Sequence, residues 1–390
     1  MAVAPRAYAG VPAWHSAELG AASGTMGAMV TDEAAETGAT DGTAASPPRL
    51  AIVGYGGAGR EIHARLAAEA GLPVTAVVTR DPGRRNQAAG DWPGARLLSD
   101  LDALVAARRT YDLVVVASPT ALHAEHAAAL ARAEIPFVLD KPIGLDAHQA
   151  RAVVEEATAT GTPFTVFQNR RWDPEQLTLG SLLDAGELGD VHTFERHWER
   201  WRPTPRQRWK ENDPVGGGLL LDLGPHLVDS ATQLFGRVES VWAQTRKLTT
   251  PTEDDVFLVL QHEAGGGRAA SPHGVVSRLW AGSVVGAPGP RTRVLGTAGA
   301  YLVTTFEQDA SPLEPLDDDA PGGSLGWLTR GRDRRAVPAA PGGHSDFYRA
   351  LGPWLAGEEP APVDPADAVR TAEVLDAARV SAREGRRVGV

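Results

Sequence analysis

From Arg49 onward, short apolar runs alternate with stretches whose apolar residues recur at helical spacing. Leu50 to Val53 reads as a buried strand, closed by glycines and followed by a helix from Gly59 to Ala70. Further strands are expected at Val74–Thr79, Ala95–Leu98, Leu113–Ala117, Phe137–Asp140 and Phe164–Phe167, with helices at His123–Ala133 and Asp146–Thr158. Uniformly apolar strands joined by helical crossovers imply a parallel sheet covered on both faces.

Beyond about Arg170 the rhythm changes. A helix near Leu177–Ala185 precedes longer runs at Val191–Trp201, Val238–Leu248, Val256–His262, Val275–Val285 and Arg291–Val303, several of them alternating apolar with polar positions. Such alternation predicts an α+β part with a largely antiparallel sheet, one face buried. Gln308 to Gly343 is acidic and rich in Gly and Pro and reads as a long loop. Helices at His344–Leu355 and Pro365–Glu384 close the chain, the last placed to pack back on the first half.

Composition narrows the class. The 390 residues are enough for two domains, and the absence of cysteine excludes disulfides, thiolate metal sites and cysteine nucleophiles. A net charge of -11 argues against nucleic-acid or anionic-membrane partners. No apolar run approaches the roughly 20 residues of a membrane helix, and no secretory signal is evident, so a cytoplasmic protein is expected. Residues 1–48, rich in Ala, Gly, Thr and Ser, show no sustained period and read as a disordered extension. The expected domains are therefore 49–170 and 171–390.

The chemistry begins at Gly54-Tyr55-Gly56-Gly57-Ala58-Gly59. This G-x-G-x-x-G follows a strand and opens a helix, as the dinucleotide-binding Rossmann fingerprint requires. About 20 positions on, where NAD enzymes carry an acidic residue for the ribose, stand Thr79 and Arg80, with Arg84 and Arg85 behind. A hydroxyl and guanidinium suit a 2′-phosphate, so NADP is favoured over NAD; Asp81 would serve NAD if the strand ended later.

Ser118-Pro119-Thr120 and Asp140-Lys141-Pro142 follow the fourth and fifth strands, at carboxyl ends where ligands bind in such sheets. Lys141, between an apolar strand and a proline, is expected to point into the cleft, where desolvation would depress its pKa. In the block Gly216 to Asp229, Pro225 starts a helix and places His226 at its exposed beginning. Histidine titrates in the range needed to take a hydroxyl proton, and Asp222 would orient the substrate hydroxyl or the imidazole. His123 and His126 lack the carboxylate or cysteine company of a metal site, and no metal is assigned. Aromatic and cationic residues from His197 to Trp209 suit a cleft for hydroxylated rings better than a nucleic-acid surface in so acidic a chain.

Together with Gln168-Asn169-Arg170-Arg171-Trp172-Asp173, Arg293 to Tyr301 and Pro362 to Pro365, these motifs resemble the glucose-fructose oxidoreductase/inositol dehydrogenase/rhizopine-catabolism (Gfo/Idh/MocA) family, most closely its NADP-linked scyllo-inositol dehydrogenase-like branch. The resemblance spans nearly everything after Pro48. It implies Lys141, Asp222 and His226 as catalytic residues, with His226 the acid/base, and Arg170 and Trp172 near cofactor and substrate. The expected cofactor set is Gly54, Tyr55, Gly56, Gly57, Ala58, Gly59, Thr79, Arg80, Ser118, Pro119, Thr120, His123, Lys141, Pro142, Arg170 and Trp172; the substrate set is Lys141, Asn169, Arg170, Trp209, Asp222 and His226. The family's usual Glu-Lys-Pro is Asp-Lys-Pro here, which changes how the lysine is held. A homodimer or homotetramer through the open face of the second sheet is also implied.

Three functions are distinguished on these grounds: a dehydrogenase of an inositol, sugar or sugar acid; a glycosidase using bound NAD for transient oxidation; and a non-catalytic NADP sensor. The joint presence of Lys141, Asp222 and His226 favours the first.

Overall fold

The computed structural model describes residues 46–269, 271–304 and 322–390; the extension expected over 1–48 lies outside the described residues up to position 45. Six strands form the first sheet: β1 (Leu50–Val53), β2 (Val74–Val78), β3 (Arg96–Leu98), β4 (Leu113–Val116), β5 (Phe137–Asp140) and β6 (Phe164–Phe167). All pair in parallel, in the order β3-β2-β1-β4-β5-β6, the doubly wound arrangement. Every residue of β1, β4 and β6 is buried, which is why these strands read as unbroken apolar runs.

The second sheet has nine strands: β7 (Val191–Glu199), β8 (Val238–Arg246), β9 (Asp255–His262), β10 (Val276–Gly282), β11 (Thr292–Gly296), β12 (Ala300–Val303), β13 (Ser324–Arg330), β14 (Asp333–Pro338) and β15 (Val388–Gly389), ordered β14-β13-β12-β11-β7-β10-β9-β8-β15. Only β7 and β10 pair in parallel among these. Alternating positions of β8 and β9 are buried, and the inner face packs on helices Gly224–Phe235 and Pro365–Glu384.

Two expectations are corrected. The run Arg291–Val303 is not one strand but the β11–β12 hairpin, with Thr297 to Gly299 making the turn. Residues 324–338, read as loop, form the β13–β14 hairpin around Gly331, whose φ is +63°; the 308–321 part of that loop lies outside the described residues. Glycine interruptions hid the hairpin: Gly326 sits at a register shift, and only Trp327, Leu328 and Val337 are buried along it.

The last helix, Pro365–Glu384, joins both cores. Ala368 and Ala372 pack in the first, with Phe347, Tyr348 and Val363 ahead of them, while Val374, Leu375 and Ala378 pack in the second. Its small residues allow close approach, and polar ties fix its seat: Asp376 accepts from the Ala147 amide at 2.8 Å, and Val363 exchanges two hydrogen bonds with the Thr165 hydroxyl. Arg171 completes the junction, gripping Asp229 through two hydrogen bonds (3.0 and 2.6 Å) and Asp367 at 2.9 Å.

Asp229 is 2% exposed, and burial raises its pKa against the pull of Arg171. Replacing Arg171 with Met should therefore lower stability by about 3–5 kcal/mol at pH 7, because a buried carboxylate loses its main cation. An acid whose folded pKa is raised is relieved by protonation, so the deficit should shrink as pH falls below neutrality. Urea unfolding of both proteins between pH 5 and 8 measures this; equal midpoints at pH 7 would contradict it.

Candidate active site

The glycine loop leaves β1 at its carboxyl end. Gly54 has φ +90°, and a Cβ there would lie 2.8 Å from the Ala117 carbonyl oxygen; a Cβ on Gly59 would lie 1.9 Å from that of Gly54. The outer side is open: nothing lies within 4 Å of a Cβ on Gly57, and at Gly56 the nearest group is the Arg84 guanidinium at 3.7 Å. Helices starting at Pro82, Leu101 and Ala147 are capped by Asp81, Asp100 and Asp146, but the one opening at Gly57 has no side-chain cap. An open backbone cradle with unclaimed amides fits a dinucleotide pyrophosphate.

Around this loop the predicted residues divide. Tyr55 turns inward and is buried, its hydroxyl donating to Asp91 at 2.9 Å. Thr79 is buried at the end of β2, and Arg80 donates to the Ser99 carbonyl. Arg85 is committed to carbonyls of Thr79, Leu97 and Leu98, and Asp81 accepts from the Arg84 amide as a helix cap. Arg84, which the sequence marked only as a follower of Arg80, is the cation beside the loop.

His123 links the next two loops, its ring nitrogens 2.8 Å from the Pro142 carbonyl oxygen and 2.9 Å from that of Ser118. The Ser118 hydroxyl lies 3.0 Å from His126 Nδ1, and the Lys141–Pro142 bond is cis. Asp140 accepts from the Lys141 amide at 2.8 Å and faces the buried His63 at 3.4 Å, while His63 Nδ1 lies 2.6 Å from the Tyr348 hydroxyl. Burial would raise the Asp140 pKa, but His63 and then Lys141 bring it down to about 2. The shorter carboxylate thus takes part in a buried chain running from the last quarter of the sequence to the Lys141 loop.

Lys141, only 12% exposed, donates from Nζ to the Asp222 carbonyl at 2.6 Å and lies 3.6 Å from its carboxylate. Burial lowers its pKa, with Lys210 and Arg170 adding to the effect and Asp222 opposing it. A second lysine, Lys210, reaches the same Asp222 oxygen at 2.5 Å and is held through the Gly218 amide, which donates to the Lys210 carbonyl. Burial would raise the Asp222 pKa, but the two ammonium groups hold it well below the usual carboxylate range. Sequence reasoning missed Lys210; its one signal was adjacency to Trp209.

His226 lies in the first turn of helix Gly224–Phe235, as Pro225 predicted, but it is half-buried rather than exposed. The Trp198 ring sits 5.8 Å from it, and Nδ1 is sealed without a hydrogen-bond partner among the described residues. Burial, and then the cations Lys141, Arg170 and Lys210, drive its pKa well below the ordinary imidazole value. Arg170 lies over the Trp198 ring at 4.7 Å and pairs with Asp173. His344, also missed, bonds Asp173 and meets the Asn169 amide at 3.2 Å.

Thr120, Lys141, Pro142, Trp209, Lys210 and Asp222 line one cleft. Trp172 is not brought there; its ring packs edge-on against Phe347 in the first core. Fixed donors and a depressed lysine line this opening, and the His226 imidazole lies near enough to Lys141 to feel its charge; together such groups can hold a hydroxyl oxygen and receive its proton.

Residues 48–168 match the model described as an oxidoreductase family with NAD-binding Rossmann fold, and residues 177–302 match the GFO/IDH/MocA C-terminal domain. The chain is 27% identical over 352 residues to the Bacillus subtilis scyllo-inositol 2-dehydrogenase (NADP(+)) IolW, covering 87% of this chain and 95% of that protein. It is 30% identical over 346 residues to the Escherichia coli oxidoreductase YdgJ, covering 86% and 96% respectively. The structure of the Bacillus subtilis oxidoreductase yvaA superposes with a TM-score of 0.75 at 26% identity, over 88% of this chain and 98% of that one. The chain belongs to the Gfo/Idh/MocA family of NAD(P)-binding oxidoreductases.

Proposed function

We propose that the protein is a dehydrogenase that exchanges a hydride between NADP and one CH–OH carbon of a polyol, inositol or sugar-like substrate. The observation that carries this is the meeting of Lys141 and Asp222 in one cleft at the carboxyl end of the first sheet, with His226 near enough for the Lys141 cation to act on it. A nicotinamide dinucleotide bound along that loop supplies the hydride acceptor or donor. Lys141, already donating one proton to the Asp222 carbonyl, directs its remaining N–H groups at the reacting oxygen. With Nδ1 sealed, Nε2 of His226 exchanges the hydroxyl proton as the carbonyl forms, and returns it in the reverse direction. Asp222, fully charged between two lysines, fixes both ammonium groups.

The 2′-phosphate preference rests on Arg84 at the glycine loop and on Asp81 being engaged as a cap. The relative IolW carries NADP(+) and scyllo-inositol in its name, which supports the same reading. The outer face of the second sheet, bearing Trp242, Phe257 and Trp280, suits a homodimer or homotetramer contact, and a cytoplasmic setting accords with the cysteine-free composition.

Assays following NADPH absorbance with inositols and aldoses test this reading. His226→Ala should lose about 10²- to 10⁴-fold in kcat while binding NADP normally. Unchanged turnover, or cofactor binding without any net redox change in the wild type, would remove the dehydrogenase assignment and favour the retained-cofactor glycosidase.

The pH dependence follows from the depressed imidazole. A general base must be deprotonated, so kcat/KM for oxidation should hold level as pH falls through the ordinary imidazole range and decline only below it. In Lys141→Met the residual activity should decline at higher pH, because a cation that disfavours imidazolium is gone. An acid limb at the same pH in both proteins contradicts the assignment of the limb to His226.

For the cofactor, Arg84→Ala should weaken NADP binding by about tenfold, in line with loss of one charge-assisted contact, and leave NAD binding nearly unchanged. Fluorescence titration with the two oxidised cofactors measures the ratio.

A further inference from the structure

The run Gly216-Gly217-Gly218 seats a side chain. The Gly218 amide donates to the Lys210 carbonyl at 2.8 Å, and the Gly218 carbonyl accepts from the Asp222 amide at 3.0 Å, so one residue ties the backbones of Lys210 and Asp222 together. A Cβ on Gly217 would lie 2.5 Å from the Asp213 carbonyl oxygen and 2.6 Å from that of Lys210, and a Cβ on Gly218 would run into the Glu253 carboxylate. Glycine alone permits this approach. The Thr252 hydroxyl holds the same short helix, Trp209–Asn212, by donating to the Glu211 carbonyl at 3.0 Å.

What the seat delivers is an ammonium group. Lys210 Nζ lies 2.5 Å from Asp222 Oδ1, whereas Lys141 Nζ is 3.6 Å from the same oxygen, beyond hydrogen-bond length, and donates to the Asp222 carbonyl instead. The Lys210 side chain is 37% exposed against 12% for Lys141, so it meets the carboxylate from the solvent side. In a partly buried cleft, an ammonium group and a carboxylate left to themselves close into a direct pair, and every N–H spent there is lost to a substrate oxygen. Arg200 also acts on Asp222, and Lys141 is faced in addition by Asp140 beside it in the chain and by Arg170 from the turn after β6. Burial lowers the Lys141 pKa, Asp222 raises it and Lys210 lowers it, as a second cation on a shared carboxylate must.

We infer that Lys210 is a positioning residue: seated by the glycine run, it draws the Asp222 carboxylate away from Lys141 and so leaves the Lys141 ammonium group free to bond the reacting oxygen. This rests on the dehydrogenase reading, in which Lys141 donates to that oxygen.

Lys141, Lys210 and Lys247 are the only lysines of the chain. Full-length, NADP-loaded protein carrying an NMR-active carbon at lysine Cε therefore lets each ammonium group be titrated separately and without turnover. In Lys210→Met the Asp222 carboxylate should close on Lys141 and raise its titration midpoint by about one pH unit or more. In Lys210→Arg, which keeps a cation on the carboxylate, the midpoint should stay near the wild-type value. Gly217→Ala retains every charge but displaces Lys210, and its Lys141 midpoint should move toward that of K210M. NADP affinity, measured alongside, reports folding; should K210M or G217A lose it, K210Q takes its place. With an inositol or aldose that is turned over, kcat should fall about tenfold in K210M, with a smaller change in KM, and recover in K210R. An unchanged or lowered Lys141 midpoint in K210M overturns the positioning role. So does a loss of turnover that K210R does not recover beside an unmoved Lys141 midpoint, which assigns Lys210 to substrate contact. A raised midpoint in K210M, with no substrate turned over by the wild type, upholds the placement of Lys210 and counts against the dehydrogenase reading instead.

Discussion

A buried ammonium group must find oxygen or lose its charge, and the placement of Lys141 makes that requirement organise the molecule. The lysine belongs to the first sheet, at the end of β5, while its acceptor, the Asp222 carbonyl, belongs to the helical turn ahead of Gly224–Phe235. Neither part has a site alone. The junction must hold the two loops to within a hydrogen bond, which explains why charged residues such as Arg171 and Asp229 are buried where the parts meet.

Electrostatics then divides the labour around the cleft. Burial, with Lys141, Arg170 and Lys210, disfavours the charged form of the His226 imidazole, while two of those cations, Lys141 and Lys210, together with Arg200, keep Asp222 ionised. The two lysines thus lower both pKa values, leaving a neutral imidazole free to accept a proton beside a carboxylate that keeps its charge.

The glycine loop, the Asp-Lys-Pro turn and the Gly216–Asp229 block were legible because each concentrates its information within a few residues, and the alternation of strand and helix identified the parallel sheet. What escaped depended on distant partners. His63 and Tyr348 meet across 285 positions, and His344 and Asp173 across 171. Lys210 gave no local sign that its ammonium would share Asp222. Side-chain direction was equally hidden: Tyr55 and Trp172 sit within recognisable motifs, yet both turn into packing instead of toward the cleft. The β13–β14 hairpin was obscured because its few buried residues are interrupted by glycine.

The closing helix, with one end in each core, has a consequence for biosynthesis. Both cores remain unsealed until residues 365–384 have left the ribosome, since Ala368 and Ala372 complete one and Leu375 and Ala378 the other. The parallel sheet emerges early but cannot close over its last apolar surface until that helix follows. Closure of both cores is thereby deferred to a late segment, and a polypeptide cut short of it exposes apolar surface on both of its halves at once.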